Sequence, residues 1–131
     1  MTLNEFAAKH GIAMTAKRID ARPSMEDFKD ADHWRVTLRM GKARLSTGYS
    51  MGRGHGGAAP DIAGVLDSLR LDASSGEFVT FEGFADEFGY DADSRKAERI
   101  YRACVRMHKR LEAFLGAVAY AELLSGEVEA L

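Results

Sequence analysis

The clearest pattern in the chain is an alternation of apolar and polar residues over positions 33–51. Before the turn the mainly apolar set is Trp34, Val36, Leu38 and Met40, and after it the set is Ala43, Leu45, Thr47, Tyr49 and Met51. The two segments flank Gly41-Lys42. Alternation with period two on both sides of a glycine turn predicts an antiparallel hairpin. One face is apolar, and the other carries Arg35, Arg39 and Arg44.

A change to helical spacing predicts three helices in the second half of the chain. The first follows Pro60, and its buried stripe is predicted at Ile62, Val65, Leu66, Leu69 and Leu71, before a break at 72–76. The second covers residues 81–88, with Thr80 as its cap and Gly89 at its end. The third opens at residues 91–94 and reaches about Leu115. Its apolar line is predicted at Ala97, Ile100, Tyr101, Cys104, His108, Leu111, Phe114 and Leu115.

The first twenty residues leave two interpretations open. Thr2-Leu-Asn-Glu5 is a capping box and Gly11 fits a helix end, so a short helix is predicted over residues 3–10. This stretch is similar to the first half of a helix-turn-helix. However, Lys17 and Asp20 stand where a second helix would need apolar residues. We therefore expect a strand after Gly11, with helix-turn-helix as the alternative.

Together these elements predict an α+β fold. A short N-terminal helix is followed by a small antiparallel sheet of about three strands. The helical C-terminal half, which contains one long helix, comes next and packs on one face of the sheet. The length suits a single domain over 1–131. After Gly116, residues 117–124 are expected to add a turn or two of helix, and the tail beyond about residue 125 to fray. The core is expected to join Trp34, Val36, Leu38, Leu45 and Tyr49 to Leu66, Leu69, Phe84, Ile100, Cys104 and Leu111.

Composition excludes several classes of protein. The chain is 46% hydrophobic and 29% charged, which are values of an ordinary globular domain. No apolar run approaches the ~18 residues of a membrane span, and none after Met1 fits a signal peptide. A single cysteine excludes an intramolecular disulfide and a multi-cysteine zinc site. We expect a cytoplasmic protein, monomeric or a small homo-oligomer.

The net charge of −2 conceals a strong segregation of charge. Residues 1–56 contain ten basic and six acidic residues, residues 57–93 contain one and nine, and residues 94–131 contain seven and five. The acidic block includes Glu82 and Asp86, whose i, i+4 spacing on a helix is repulsive, with Glu87 beside them. The long helix carries a basic stripe at Arg95, Arg99, Arg102, Arg106 and Lys109. These groups are either solvated faces that neutralise one another within the fold or separate binding patches.

Candidate catalytic and cofactor motifs are weak. Gly52-Arg-Gly-His-Gly-Gly57 matches G-x-G-x-x-G, but its preceding strand belongs to an antiparallel hairpin, whereas a dinucleotide site needs a parallel βαβ unit. Two interpretations remain for this segment: a plain loop, or an anion-binding site formed by Arg53, His55 and the glycine backbone amides. Cys104 and His108 share a helical face, yet both fall on the apolar line, so burial is favoured over nucleophilic chemistry. No catalytic residue, metal site or cofactor is predicted.

Three stretches carry a resemblance to a known family. They are Phe81-Glu-Gly-Phe-Ala-Asp-Glu-Phe-Gly-Tyr-Asp-Ala-Asp-Ser-Arg-Lys-Ala-Glu-Arg99, Leu3-Asn-Glu-Phe-Ala-Ala-Lys-His-Gly11 and Asp61-Ile-Ala-Gly-Val-Leu-Asp-Ser-Leu69. In these the chain resembles small uncharacterised proteins encoded by phages and prophages of proteobacteria, over most of its length up to Gly116. The resemblance brings no catalytic residues. It implies a context in which small accessory proteins block host machines, including CRISPR effector complexes.

The expected function is therefore counter-defence, most concretely as an anti-CRISPR that binds a host protein or ribonucleoprotein stoichiometrically. In this hypothesis Glu82, Asp86 and Glu87 oppose a basic nucleic-acid channel, or the outer arginines dock elsewhere. The alternative is a nucleic-acid-binding accessory protein that uses Arg35, Arg39, Arg44 and the basic helix stripe. That alternative lacks an aromatic platform for base stacking, because Trp34 and Tyr49 fall on the apolar side of the hairpin. An enzyme that depends on Cys104 and His108 is the third hypothesis.

Overall fold

The computed structural model describes residues 1–20, 31–52 and 57–130. The elements in chain order are α1 (Leu3–His10), β1 (Ile12–Ile19), β2 (Ala31–Met40), β3 (Ala43–Gly52), α2 (Ile62–Ser75), α3 (Phe81–Phe88), α4 (Arg95–Leu115) and α5 (Ala117–Leu124). This is the expected α+β architecture, with a short N-terminal helix, a three-stranded antiparallel sheet and a helical C-terminal half. Arg53 and His55, predicted as an anion grip, lie outside the described residues.

The N-terminal helix begins and ends as its sequence predicts. The Thr2 amide donates to Glu5 Oε1 at 3.1 Å, and Thr2 Oγ1 accepts from the Glu5 amide at 3.1 Å. Hydrogen bonding of the Glu5 carboxylate to the Thr2 amide, and then to the Thr2 side chain, lowers the pKa of Glu5. Gly11 adopts φ 65°, and its N–H donates to the Ala7 and Ala8 carbonyls. The chain then enters β1, so the strand interpretation of residues 12–19 is confirmed and the helix-turn-helix is wrong.

The sheet has the order β1-β2-β3, and β2 pairs with both neighbours. Gly41, at φ 59°, begins the two-residue turn of the β2–β3 hairpin. A positive φ at the first turn residue alone is the signature of a type II′ turn, whose twist suits two antiparallel strands. Trp34 lies opposite Tyr49 and Leu38 opposite Leu45, so the predicted apolar face is confirmed. Trp34, Val36, Leu38 and Leu45 on this face are buried, whereas Tyr49, predicted in the core, is half-buried.

The described residues group into two compact units, Met1–Val65 with Glu129–Leu131, and Leu66–Val128. The first unit contains α1 and the sheet, with a core that includes Leu3, Phe6, Val36 and Leu38. The second contains α3, α4 and α5, with a core that includes Leu66, Phe84, Leu111 and Leu123. The single domain, and a core shared by the sheet and the helices, stay predictions.

Helix α2 differs from its prediction at its end and in two residues of the predicted buried stripe, of which Ile62 is half-buried. It continues to Ser75, through the residues expected to break it, and stops at Gly76. Leu71, predicted in the buried stripe, is 61% exposed. The physical reason is that two residues on from Leu69 is about 200° around a helix of 3.6 residues per turn. Leu66, Leu69 and Ala73 form the buried line instead.

The buried face of α4 is rotated relative to the predicted one. Met107, which the prediction omitted, is buried together with Cys104, Leu111 and Phe114. Tyr101 and His108 lie on the edge of the stripe that is farther from Met107, and both are half-buried. Ile100 was predicted in the core but is 36% exposed. Helical spacing does not explain that exposure, because three- and four-residue steps place Ile100 within the stripe.

The C-terminal tail was predicted to be frayed, and this is wrong for residues 126–129. Val128 is buried at 4% exposure, and its carbonyl accepts from Arg70 Nη1 at 2.6 Å. Glu129 forms a parallel bridge with Thr2. Its carbonyl accepts from the Leu3 amide at 2.9 Å, and its amide donates to the Met1 carbonyl at 2.7 Å. The tail is held because backbone partners satisfy its polar groups.

Candidate functional site

One face of the sheet gathers four basic side chains. The strand register places Lys17 opposite Arg35 and Arg39 opposite Arg44. Side chains alternate between the faces of a strand, so these four residues share the face opposite Trp34 and Leu38. Lys17, Arg39 and Arg44 are exposed and Arg35 is half-buried. We call Lys17, Arg35, Arg39 and Arg44 the basic sheet face.

Neighbouring side chains on this face are hydroxyls rather than carboxylates. Thr37 Oγ1 donates to Ser46 Oγ at 3.2 Å, and Arg39 Nη1 donates to Thr15 Oγ1 at 3.4 Å. The structure shows no ion pair between the four basic residues and any carboxylate of the described ranges. Like charges directly opposite each other on a sheet destabilise the pairing. Both cross-strand pairs therefore lower the stability of the sheet, and no ion pair in the described residues offsets this effect.

Lys17 is the member of this face that the sequence analysis missed. Its strand follows Gly11, and sequence alternation alone leaves open which set of alternate residues shares a face with the arginines. The pairing of Ile12 with Met40 fixes that choice. A register shifted by one residue would have moved Lys17 to the other face. The useful signal was present in the alternation of Ala13, Thr15 and Lys17 with apolar residues, but it required a pairing partner.

A second candidate surface lies on helix α3, in the second unit. Thr80 Oγ1 caps the helix by accepting from the Gly83 amide at 3.1 Å, and Gly89, at φ 72°, ends it. Phe84 is 2% exposed and is the centre of an aromatic cluster. Its ring centroid lies 4.9 Å from Phe88, 5.7 Å from a stacked Tyr90 and 5.1 Å from Tyr101.

The outer members of this cluster are accessible to solvent. Phe88 is 49% and Tyr90 43% exposed, although both rings contact buried Phe84. Glu82, Asp86 and Glu87 are exposed on the same helix. None of these three carboxylates forms an ion pair with a basic residue of the described ranges. We call Glu82, Asp86, Glu87, Phe88 and Tyr90 the α3 patch.

The carboxylates of the α3 patch were predicted from the sequence as binding residues, but its two aromatic residues were not. The structure places these carboxylates at the surface, and their role in partner binding stays a prediction. Phe88 and Tyr90 were not predicted. Phe88 has the helical spacing of a core residue relative to Phe84, and burial depends on neighbours that the local sequence does not show.

The basic helix stripe on α4 is exposed along its whole length. Its members Arg95, Arg99, Arg102, Arg106 and Lys109 are all on the surface. Arg102 Nη2 lies 2.7 Å from Glu98 Oε1, one turn earlier, as expected for a helix-stabilising i, i+4 pair. This pair supports the solvated-face interpretation for Arg102.

Cys104 and His108 are not arranged for nucleophilic catalysis. Cys104 is buried, and desolvation followed by the charge of Asp72 raises the pKa of its thiol. A thiolate nucleophile requires the opposite shift, together with a nearby base. His108 Nδ1 is instead 2.6 Å from the Tyr120 hydroxyl, which also donates to Glu77 Oε1 at 3.3 Å. The burial predicted for Cys104 is confirmed, whereas His108, predicted to be buried, is half-buried.

Residues 1–20, 31–52 and 57–130 contain neither a metal-binding cluster nor a membrane-spanning helix. No group of three or more histidine, cysteine, aspartate or glutamate side chains there could hold a metal ion. Among the helices described, none has both the length and the apolar character needed to cross a membrane.

Comparison with known proteins gives no relative. No family model, curated protein or solved structure matches the chain. The basic sheet face and the α3 patch are therefore the candidate binding surfaces.

Proposed function

We propose that this protein acts by stoichiometric binding, and that its α3 patch docks on a basic surface of a macromolecular partner. The observation that carries the proposal is the pair of half-exposed rings, Phe88 and Tyr90, next to three carboxylates of α3 that form no ion pair within the described part of the chain. Large aromatic side chains are enriched among the residues that dominate binding energy. Charged groups around them steer association and select the partner.

The rings of the α3 patch are held in place before binding. Phe84 is buried and contacts both Phe88 and Tyr90, while Gly89 at φ 72° fixes the turn between them. The Tyr90 amide donates to the Ala85 carbonyl at 2.8 Å, which ties the residue after the helix to its last turn. Side chains that are ordered in the free protein lose less conformational entropy on association. The patch is thus suited to a binding site.

The most concrete form of the proposal is counter-defence in the cytoplasm of a bacterial host. The carboxylates Glu82, Asp86 and Glu87 would face the basic nucleic-acid channel of a ribonucleoprotein, such as a CRISPR effector complex. Support for this form comes from the resemblance of residues 81–99 to phage-encoded proteins and from the sign of the charge. A protein that occupies such a channel needs no catalytic residue.

The test begins with a tagged chain used to capture partners from host lysate, with and without nuclease. A captured protein complex is then purified, and its affinity and stoichiometry are measured. We expect one chain per binding site, and a loss of about 30-fold or more in affinity for Phe88→Ala, as for a hot-spot residue worth about 2 kcal/mol. Glu82→Lys/Glu87→Lys should slow association most strongly at low salt.

Val118→Ala is the matched control, since Val118 is 83% exposed on α5 and belongs to neither surface. It should bind as the unmodified protein does. Capture of nucleic acid alone, lost on digestion, would contradict the proposal, and so would a complex insensitive to both sets of α3 changes. If the partner is a CRISPR effector, one equivalent of the protein should block target binding in a purified assay. Capture of a partner unrelated to host defence would contradict the counter-defence role, but it would support the proposal that the protein acts by stoichiometric binding.

A further inference from the structure

The basic sheet face has a different chemistry from the α3 patch and points to a different ligand. We infer that Lys17, Arg35, Arg39 and Arg44 bind the phosphate backbone of a nucleic-acid duplex. The inference does not depend on the proposed function, because it concerns other residues in the other compact unit.

The first step is the arrangement of the positive charges. Lys17 and Arg35 are direct partners across β1 and β2, and Arg39 and Arg44 are direct partners across β2 and β3. Arg35 and Arg39 are four residues apart on one strand, which separates the two pairs by about 13 Å at roughly 3.3 Å per residue. One small anion cannot reach both pairs, whereas a polymer with regularly spaced phosphates can.

The second step is that no ion pair in the described residues offsets the repulsion among the four basic side chains. Each pair places like charges opposite each other, which destabilises a sheet. No carboxylate in the described part of the chain forms an ion pair with any of the four. An arrangement that lowers the stability of the free protein, and whose charges an external polyanion would neutralise, is typical of a binding surface. Phosphate contacts of this kind release condensed counterions and so favour association.

The third step is the character of the side chains between the charges. The hydroxyls of Thr15, Thr37 and Ser46 lie among the basic residues, and threonine and serine are common donors to phosphate oxygens. No Phe, Tyr or Trp occurs among the sheet residues described on this face, since Trp34 and Tyr49 point to the other side. Protein interfaces are enriched in aromatic anchors, whereas nucleic-acid interfaces are polar and positively charged. An acidic protein is therefore the less suitable occupant.

The same absence of aromatic residues distinguishes a duplex from a single strand. Proteins that hold single strands without sequence preference stack bases on aromatic rings. The basic sheet face offers charges and hydroxyls, which contact the sugar–phosphate backbone and leave the bases paired. Recognition should therefore be insensitive to base sequence and sensitive to salt.

The experiment is a salt titration of binding, measured by fluorescence anisotropy. Probes are labelled duplex DNA and duplex RNA of about 20 base pairs and a single strand of the same sequence, at about 50 to 200 mM salt. Four phosphate contacts predict a slope of log K against log salt of about −3.6, which is a loss of about 150-fold over that range. Arg39→Gln/Arg44→Gln should halve the slope and reduce the loss to about 12-fold.

Controls separate this surface from the other charged groups. Arg95→Gln/Arg99→Gln on α4 removes the same charge and should leave the slope unchanged. Glu82→Lys/Glu87→Lys should also leave the slope of duplex binding unchanged, so that failure of this inference and failure of the proposed function are distinguishable. Because Arg39→Gln/Arg44→Gln relieves the repulsion between two facing arginines, the melting temperature of this variant should equal or exceed that of the unmodified protein.

Several outcomes would overturn the inference. They are no binding of any duplex at the lowest salt, tighter binding of the single strand, and a slope that falls with the α4 change but not with the sheet change. Self-association that Arg39→Gln/Arg44→Gln abolishes, without duplex binding, would instead assign this face to a second copy of the chain. Comparison of the DNA and RNA duplexes shows which polymer is the ligand.

Discussion

At the scale of single residues, Gly76 shows how one close approach constrains this fold. It is buried where the chain leaves α2, and its amide donates to the Asp72 and Ala73 carbonyls. A Cβ atom at this position would lie 2.1 Å from the Cys104 carbonyl oxygen and 2.7 Å from the Val105 nitrogen. These are backbone atoms of α4, so they cannot rotate away as a side chain could. The backbone of α4 passes directly against Gly76.

Gly76→Ala is therefore expected to destabilise the protein by about 3 kcal/mol or more, at or beyond the upper end of overpacking costs. Gly126→Ala is the control, because a Cβ there meets nothing within 4 Å and Gly126 is not in the left-handed region. It should change the free energy of unfolding by less than about 0.5 kcal/mol. Urea unfolding followed by circular dichroism measures both. Equal effects of the two changes would show that the packing at Gly76 is not as tight as described.

Tyr120 is a second residue with a defined energetic role. It is 5% exposed, and its hydroxyl contacts His108 Nδ1 and Glu77 Oε1. Burial and the charge of Glu77 raise its pKa far above the ordinary value. The unfolded state therefore loses this proton first as pH rises, and the folded state holds more protons. Stability should fall once the pH passes about 10, the ordinary pKa of tyrosine.

Tyr120→Phe should lower the free energy of unfolding by about 1 kcal/mol at neutral pH, through the lost hydrogen bonds. It should also flatten the alkaline decline in melting temperature. Tyr90→Phe is the control, because Tyr90 is 43% exposed and its ring stacks on Phe84 without needing the hydroxyl. Thermal melts from neutral pH to about pH 11 test both expectations. A Tyr120→Phe curve parallel to that of the unmodified protein would contradict the assignment.

At the scale of elements, local sequence signals predicted most helix ends and failed where a distant partner decides. The caps of α1 and α3 at Thr2 and Thr80 were visible because the cap contacts are three residues apart. The start of α4 was predicted within residues 91–94, and Ser94 is its cap. The end of α2 was misplaced, since residues 72–75, predicted as a break, continue the helix until Gly76 meets α4. The ordered tail was missed because its partners, Met1, Leu3 and Arg70, are distant in sequence.

The tail supplies a prediction at this scale. Val128→Ala should destabilise the protein by about 2 kcal/mol, because Val128 is 4% exposed and its methyl groups would leave a cavity. Val118→Ala makes the same chemical change at an 83% exposed position and should cost less than about 0.5 kcal/mol. Chemical denaturation distinguishes them. If both changes were neutral, residues 126–129 would not be held as the hydrogen bonds of Glu129 and Val128 indicate.

At the scale of the whole molecule, the net charge of −2 conceals two surfaces of opposite sign. The basic sheet face depends on the pairing of three strands, and the α3 patch depends on which side of a short helix is buried. We therefore expect their functions to be separable. Arg39→Gln/Arg44→Gln should halve the salt slope of duplex binding and keep protein capture, while Phe88→Ala should weaken protein capture and leave duplex binding unchanged. Pull-down and anisotropy on the same four proteins, including the unmodified chain and Val118→Ala, test this expectation. Loss of both activities in either variant would show that the surfaces are not independent.

The sequence by itself determined the order of the elements, the hairpin and its two faces, the helix caps and the segregation of charge. These features depend on contacts between residues close in the chain, so period and spacing reveal them. Tertiary structure alone decided that Lys17 joins the arginines, that Phe88 and Tyr90 remain half-exposed beside buried Phe84, and that Val128 is buried. Each of these depends on strand register or on packing between segments distant in sequence. Such contacts leave no periodic signal in the chain, because the partner that buries or exposes a side chain lies elsewhere.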